Sequence, residues 1–256
     1  MNDFMLTRRQ FLTTSCCCLA YFSNARLAIA DYDYSNSGCF LSAEEFDSSI
    51  SNFSSMSSSE ALNQLDTRTS DKSLNKAIGT TLTRISGLFD VYPGFGFYED
   101  EEEPNAFATP KTVIQGTKGT VAFGYTLLRN SLRTNPSGIS IMGIIAHEFG
   151  HIVQYEQGIE NRLKKGQSTV RLSELHADFL AGFYAGRRKL NFSDMDTDGL
   201  GDTFLGIGDF NYKNPQHHGT PQERIAALTE GFKLGKRMEY NILDVVNKGI
   251  EVVSKI

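Results

Sequence analysis

His147-Glu148-Phe149-Gly150-His151 places two imidazoles four residues apart, with a carboxylate beside the first. On an α-helix, residues i and i+4 project from one face. His147 and His151 can therefore grip one Zn2+ at about 2.0–2.1 Å per nitrogen. Glu148 stands next to that ion without being needed as a ligand, where it can take a proton from an attacking water. The flanking Ile141, Ile144, Ile145, Phe149, Ile152 and Val153 mark a buried helix. Two histidines and a glutamate are expensive to hold there without a purpose. Gly143 and Gly150 each cost such a helix about 1 kcal/mol relative to Ala, which a tight approach at the site explains.

Zinc needs a third protein ligand. Glu174-Leu175-His176-Ala177-Asp178 begins 23 residues past His151 and is helical in pattern, with Leu172, Leu175, Phe179 and Phe183 on the core side. Glu174 and Asp178 are one turn apart, and like charges at that spacing repel unless a cation stands near them. Glu174 is the expected third ligand. Asp178 is expected to accept the outer N–H of a ligating imidazole. His176 points away and is not expected to ligate.

The two motifs need helices at about 138–157 and 172–190. Two more are predicted at 221–236, where Thr220 is the N-cap and Pro221 the first helical residue, and at 239–254. Upstream, Leu74, Ile78, Leu82, Ile85, Leu88 and Phe89 recur at helical spacing within 70–89. Between these helices, 105–109, 112–115 and 119–123 are short β-friendly runs parted by Pro110 and Gly116, predicting a small sheet. The acidic run from Glu99 to Glu103 reads as a solvated loop, and residues 31–69, rich in Ser, Asp and Asn, as a loosely ordered arm. The expected organisation is one α+β domain over 70–256.

The first thirty residues read as an address. Thr7-Arg8-Arg9-Gln10-Phe11-Leu12, a short apolar stretch and Ala28-Ile29-Ala30 have the layout of a secretory signal. The arginine pair resembles a twin-arginine export signal, so the protein is expected to be periplasmic or extracellular after cleavage near Ala30. Cys16, Cys17 and Cys18 follow Thr13-Thr14-Ser15, where a lipidation site wants Leu. Beyond Ala30 only Cys39 of the four cysteines remains, so stability must come from packing and any bound metal. Lys+Arg is 25 against Asp+Glu 30, a formal charge of −5, which argues against a nucleic-acid partner. No run of about 18 apolar residues supplies a transmembrane anchor.

HEFGH followed by ELHAD resembles the gluzincin metallopeptidases. Pro104–Thr109 with Gly119–Gly124 resembles the upstream strand pair of the HtpX and CaaX-protease family, and Ala146–His151 its active helix. His218-Gly219-Thr220-Pro221-Gln222-Glu223-Arg224-Ile225 resembles its late His-Pro…Arg-Ile element. The Gly after His218, and Leu175-x-Ala177-Asp178-x-x-Ala181-Gly182, are similar to the soluble neutral zinc metallopeptidases. The resemblance spans about residues 90–235 in four motifs. It implies a zincin-like fold, a small β-sheet with an active-site helix and further packed helices, and one Zn2+ per chain on His147, His151 and Glu174. It also implies Glu148 as general base and Asp178 orienting a ligand. His218 and Arg224 would lie near the site, positioning its groups or stabilising an oxyanion.

The implied activity is hydrolysis of a peptide or protein substrate, its strand added to the sheet edge near Asn105–Thr109. A zinc-stabilised, non-catalytic binding or chaperone-like protein of the envelope is the alternative, against which the intact Glu148 argues. A non-peptide amidase is a third reading. Asp194-x-Asp196-x-Asp198-Gly199-x-x-Asp202 has the oxygen spacing of a Ca2+ loop. Leu205, however, occupies the twelfth position, where a bidentate Glu belongs, and Gly201 replaces the usual apolar residue. Calcium is therefore not expected, and by the same resemblance this stretch is a helix crossing near the site.

Overall fold

A computed structural model of the chain describes residues 65–100, 104–195, 197–237 and 241–256. The stretch expected to be an export signal, the expected arm up to residue 64 and Cys39 lie outside the described residues. The elements are α1 (Lys72–Phe89), β1 (Gly94–Tyr98), β2 (Ala106–Thr109), β3 (Thr120–Gly124), α2 (Tyr125–Thr134) and α3 (Ile139–Glu156). They continue with α4 (Glu160–Lys164), α5 (Arg171–Asn191), α6 (Asp198–Gly206), α7 (Pro221–Gly235) and α8 (Ile242–Val253). The class is α+β, as expected. Every helix predicted from periodicity and caps is present with ends within three residues. At α7 the Thr220 hydroxyl and the Glu223 carboxylate cap each other's backbone N–H, a capping box that fixes where the helix starts.

The sheet differs from expectation. β3 lies in the middle, parallel to β1 and antiparallel to β2. The expected strand at 112–115 is a turn instead, in which the Ile114 carbonyl accepts from the Thr117 backbone and hydroxyl. Gly116 takes a left-handed φ of 84° there. Its place in the sheet is filled by Gly94-Phe95-Gly96-Phe97-Tyr98. Two glycines in five residues look like a loop, but Leu65 packs flat on Gly96. A Cβ there would lie 2.7 Å from Leu65 Cβ. Asp66 pairs with Phe97 beside it. Leu65 and Asp66, which composition assigns to the arm, thus belong with the sheet, and Thr69 bonds Asn75 in the first turn of α1.

The acidic run is also not wholly a solvated loop. Asp100 is 3% exposed, and its carboxylate accepts from the backbone of Asn105, Thr126 and Leu127. Gly124, at the N-cap of α2, has no side chain to satisfy the first N–H groups. A carboxylate from a neighbouring segment does so instead.

α3 is buried along nearly its whole length. Its Gly150 lies where a Cβ would come within 3.0 Å of Ala177 Cα in α5, the close approach that the glycine cost foreshadows. α5 and α7 are closer still. Gly182 and Gly186 on α5 meet α7, and Gly231 and Gly235 on α7 meet α5. A Cβ on any of the four would run into the partner's backbone. No described helix is long and apolar enough to cross a membrane.

Candidate metal centre

The approach of α3 to α5 sets the two motifs face to face. His147 Nε2 and His151 Nε2 stand 3.1 Å apart, each 3.4 Å from one oxygen of Glu174. Among the described residues this is the only group of three His, Cys, Asp or Glu whose ligand atoms converge, all within 4.8 Å. None of the three side chains is more than 2% exposed. Neither Glu174 oxygen has a hydrogen-bond partner, which for a buried polar group costs about 1–3 kcal/mol, more when charged, unless something else meets it. Glu148, Glu174, Asp178 and Arg224 are all 0% exposed. Three carboxylates against one guanidinium leave a formal excess of negative charge, which a divalent cation offsets. Two imidazoles and one carboxylate can hold such an ion, with room for a fourth ligand.

Asp178 and Arg224 stand behind His147. Asp178 Oδ1 accepts from His147 Nδ1 at 2.8 Å. Arg224 reaches in from the first turn of α7, donating from Nε to Oδ2 at 2.8 Å and from Nη2 to Oδ1 at 2.7 Å. That two-point fork fixes the plane of the carboxylate and, through it, the imidazole. Arg224 Nη1 donates to the Ile207 carbonyl at 3.3 Å. The guanidinium is thus engaged with Asp178.

Behind His151 runs a second chain that the sequence does not announce. The Val246 carbonyl can only accept, so His176 Nε2 carries the hydrogen that meets it at 3.1 Å. His176 Nδ1 is then an acceptor. The Gln154 amide must turn its NH2 toward it at 3.3 Å and toward the Ser173 carbonyl at 2.8 Å. Gln154 Oε1 is left facing His151 Nδ1 at 3.2 Å, so the hydrogen lies on Nδ1 and the lone pair on Nε2. By the same logic Asp178 puts the hydrogen of His147 on Nδ1. The outer bonds thus leave a lone pair on Nε2 of both imidazoles, the form in which a metal ion could be held. His176 lies outside the converging group, and it anchors this chain. Burial draws its pKa down to about 4, keeping the imidazole neutral. The one sequence sign of Gln154 is its position three residues after His151, on the same side of α3.

His218 arrives on the connection between α6 and α7. Asp209 ties that loop shut: its carboxylate accepts from the backbone of Asn211 and His218 and meets His217 Nδ1 at 2.6 Å. Asp209 N–H bonds the Gly219 carbonyl, and Gly219 takes a φ of 97° that favours glycine. His218 Nε2 is buried without a hydrogen-bond partner. Burial lowers its pKa, Glu174 and Asp209 push it back, and Arg224 and His147 lower it again, leaving it below the usual value. Burial alone would raise the Glu174 carboxyl. His151, His218 and His147 outweigh it and hold that group well below the carboxylate range. Phe204 of α6 closes the centre, its ring 6.0 Å from that of His147. Neither Asp209 nor His217 carries a local signal in the sequence, because each meets its partners only once the loop closes.

Of the calcium-like stretch, Asp196 lies outside the described residues. From Asp198 onward the chain is helix α6. Gly199 sits in its first turn against the Asn135 side chain rather than at the sharp turn of a calcium loop. The expected helix beside the site is therefore present. Of the residues expected at the centre, His147, His151 and Glu174 converge, Asp178 and Arg224 lie directly behind them, His218 acts on the Glu174 carboxylate, and Glu148 follows His147 on α3, fully buried. Scans of this chain against family models, curated proteins and solved structures return no match.

Proposed function

We propose that this protein is a zinc-dependent metalloendopeptidase with a zincin-like active site, exported through its twin-arginine-like N-terminus. The observation that carries this reading is the buried convergence of His147, His151 and Glu174 with Glu148 one residue along the same helix. Zinc bound there supplies Lewis acidity toward a peptide carbonyl. Glu148 takes a proton from the attacking water and passes it to the leaving amine. Asp178 with Arg224, and Gln154 with His176, keep the two imidazoles in the ligating tautomer. His218, with Nε2 unsatisfied, is available to meet charge developing on the carbonyl oxygen. An extended substrate would add to β2, an outer strand of the described sheet.

The near-complete burial of all three ligands favours a second reading, a zinc site that only stabilises a binding protein. Glu148→Gln separates the two. On the hydrolase reading it keeps one zinc and the native fold, yet loses peptide hydrolysis by at least about 10²–10⁴-fold. A wild type that holds zinc but cleaves nothing across a broad peptide library leaves the structural reading standing. A Glu148→Gln protein as active as wild type removes Glu148 from the chemistry.

A further inference from the structure

Away from the metal centre, a cavity of about 250 Å³ lies between α1, the first turns of α3 and the segment after α5. Its wall is largely apolar, with Leu74 and Ile78 from α1, Ile141, Met142 and Ile145 from α3, and Met195. Arg188 is the one charged residue in that wall. Arg84 is close by: the two guanidiniums lie over the Phe192 ring, at 5.2 Å for Arg84 and 4.1 Å for Arg188. Among the described residues neither has a carboxylate partner. Burial draws the Arg188 guanidinium below its ordinary pKa, and the charge on Arg84 adds to this. Tyr184, in the field of both cations, is 1% exposed. Its hydroxyl is buried without a hydrogen-bond partner.

Two like charges without a counter-ion, a stranded hydroxyl and an apolar cavity beside them have a common complement: an anionic head on a single apolar tail. We infer that this is a binding site for a linear medium-chain carboxylate, with its head at Arg84, Arg188 and Tyr184 and its chain between α1 and α3. A carboxylate matches the guanidinium fork and accepts from a hydroxyl. The cavity falls below the range of about 300–1,000 Å³ typical for drug-sized ligands, so it takes one chain and not a two-chain lipid. The inference does not depend on the chemistry of the metal centre.

The test is calorimetric titration of the full chain with octanoate, decanoate and dodecanoate below their micelle concentrations. The dissociation constant falls about fourfold for each added methylene until the cavity is full. Decanol binds at least about tenfold more weakly than decanoate, because it lacks the charge-assisted bonds. Arg84 is exposed on α1, so Arg84→Gln keeps the fold. It weakens decanoate by about tenfold while leaving decanol unchanged. Zinc content stays the same throughout. The inference is overturned if decanol binds as tightly as decanoate, or if Arg84→Gln binds decanoate like wild type. It also fails if inorganic phosphate displaces decanoate with no dependence on chain length, which would make this a bare anion patch. Binding to phosphatidylglycerol vesicles but not to free carboxylates overturns it as well. So does an absence of any binding by the full chain, as when its own N-terminal residues fill the cavity.

Discussion

Along α3, the turns bearing His147 and His151 press against α5, with Gly150 giving up its side chain so that Ala177 can approach. The first turns of the same helix instead leave a cavity of about 250 Å³ against α1. The tight half holds charged groups at essentially no exposure, and the loose half is lined mainly by hydrocarbon. The ordering is physical. A misplaced buried charge costs several kcal/mol, so the walls of the metal centre must be exact in position. An apolar wall makes no directional bonds, so its side chains can leave a gap without stranding a charge.

The contrast is sharpened most by disturbing the tight half. Gly231→Ala drives a Cβ into the Phe179 carbonyl of α5. It should destabilise the metal-free protein by about 3 kcal/mol in chemical denaturation, the upper range for overpacking. Zinc uptake should fall with it, since α7 also carries Arg224. Retention of full stability would mean that α5 and α7 are not held as closely as described. Next in size are the ligand and its support. Glu174→Ala should contain no zinc by elemental analysis, whereas Asp178→Asn should bind it about 10–100-fold more weakly. Equal zinc in wild type and Glu174→Ala would break the centre apart. The smallest effect belongs to the loose half. Thr81 lines the cavity, and Thr81→Ile replaces its hydroxyl by an ethyl group. It should raise the melting temperature by about 2 °C, the equivalent of roughly 0.5–1 kcal/mol. A fall of that size would show that the cavity is already occupied.

Much of this tight half can be read in the sequence, because its signals are local. The i, i+4 spacing of His147 with His151 and of Glu174 with Asp178 survives without knowledge of the fold. So do the Thr220 cap and Pro221 that place Arg224 in the first turn of α7. What escapes depends on partners distant in the chain. Gly94-Phe95-Gly96-Phe97-Tyr98 becomes a strand only because Leu65 occupies the space over Gly96. Asp100 looks solvated beside Glu99 until Thr126 and Leu127 present unsatisfied N–H groups to it. Gln154 and His176 have no motif of their own, and their meaning appears when Val246 arrives from α8. The zinc-peptidase resemblance reaches His218 and Arg224 by position, yet it does not separate a group that meets substrate from one that braces a carboxylate.

The chain from Val246 to His151 has a direction. Each link can donate one way only, and the polarity is set by two main-chain carbonyls, Val246 at the far end and Ser173 beside Gln154, that no side-chain substitution removes. The last helix, which contributes none of the converging groups, therefore shares with Ser173 in deciding which nitrogen of His151 is available for coordination. Without α8, His176 loses the acceptor that orders its hydrogens. The Ser173 carbonyl is then alone in holding the Gln154 amide with its oxygen toward His151, against a His176 that can turn a hydrogen toward it. The C-terminal residues 242–253 thus act as a remote reference for the protons of a centre more than ninety residues earlier in the chain.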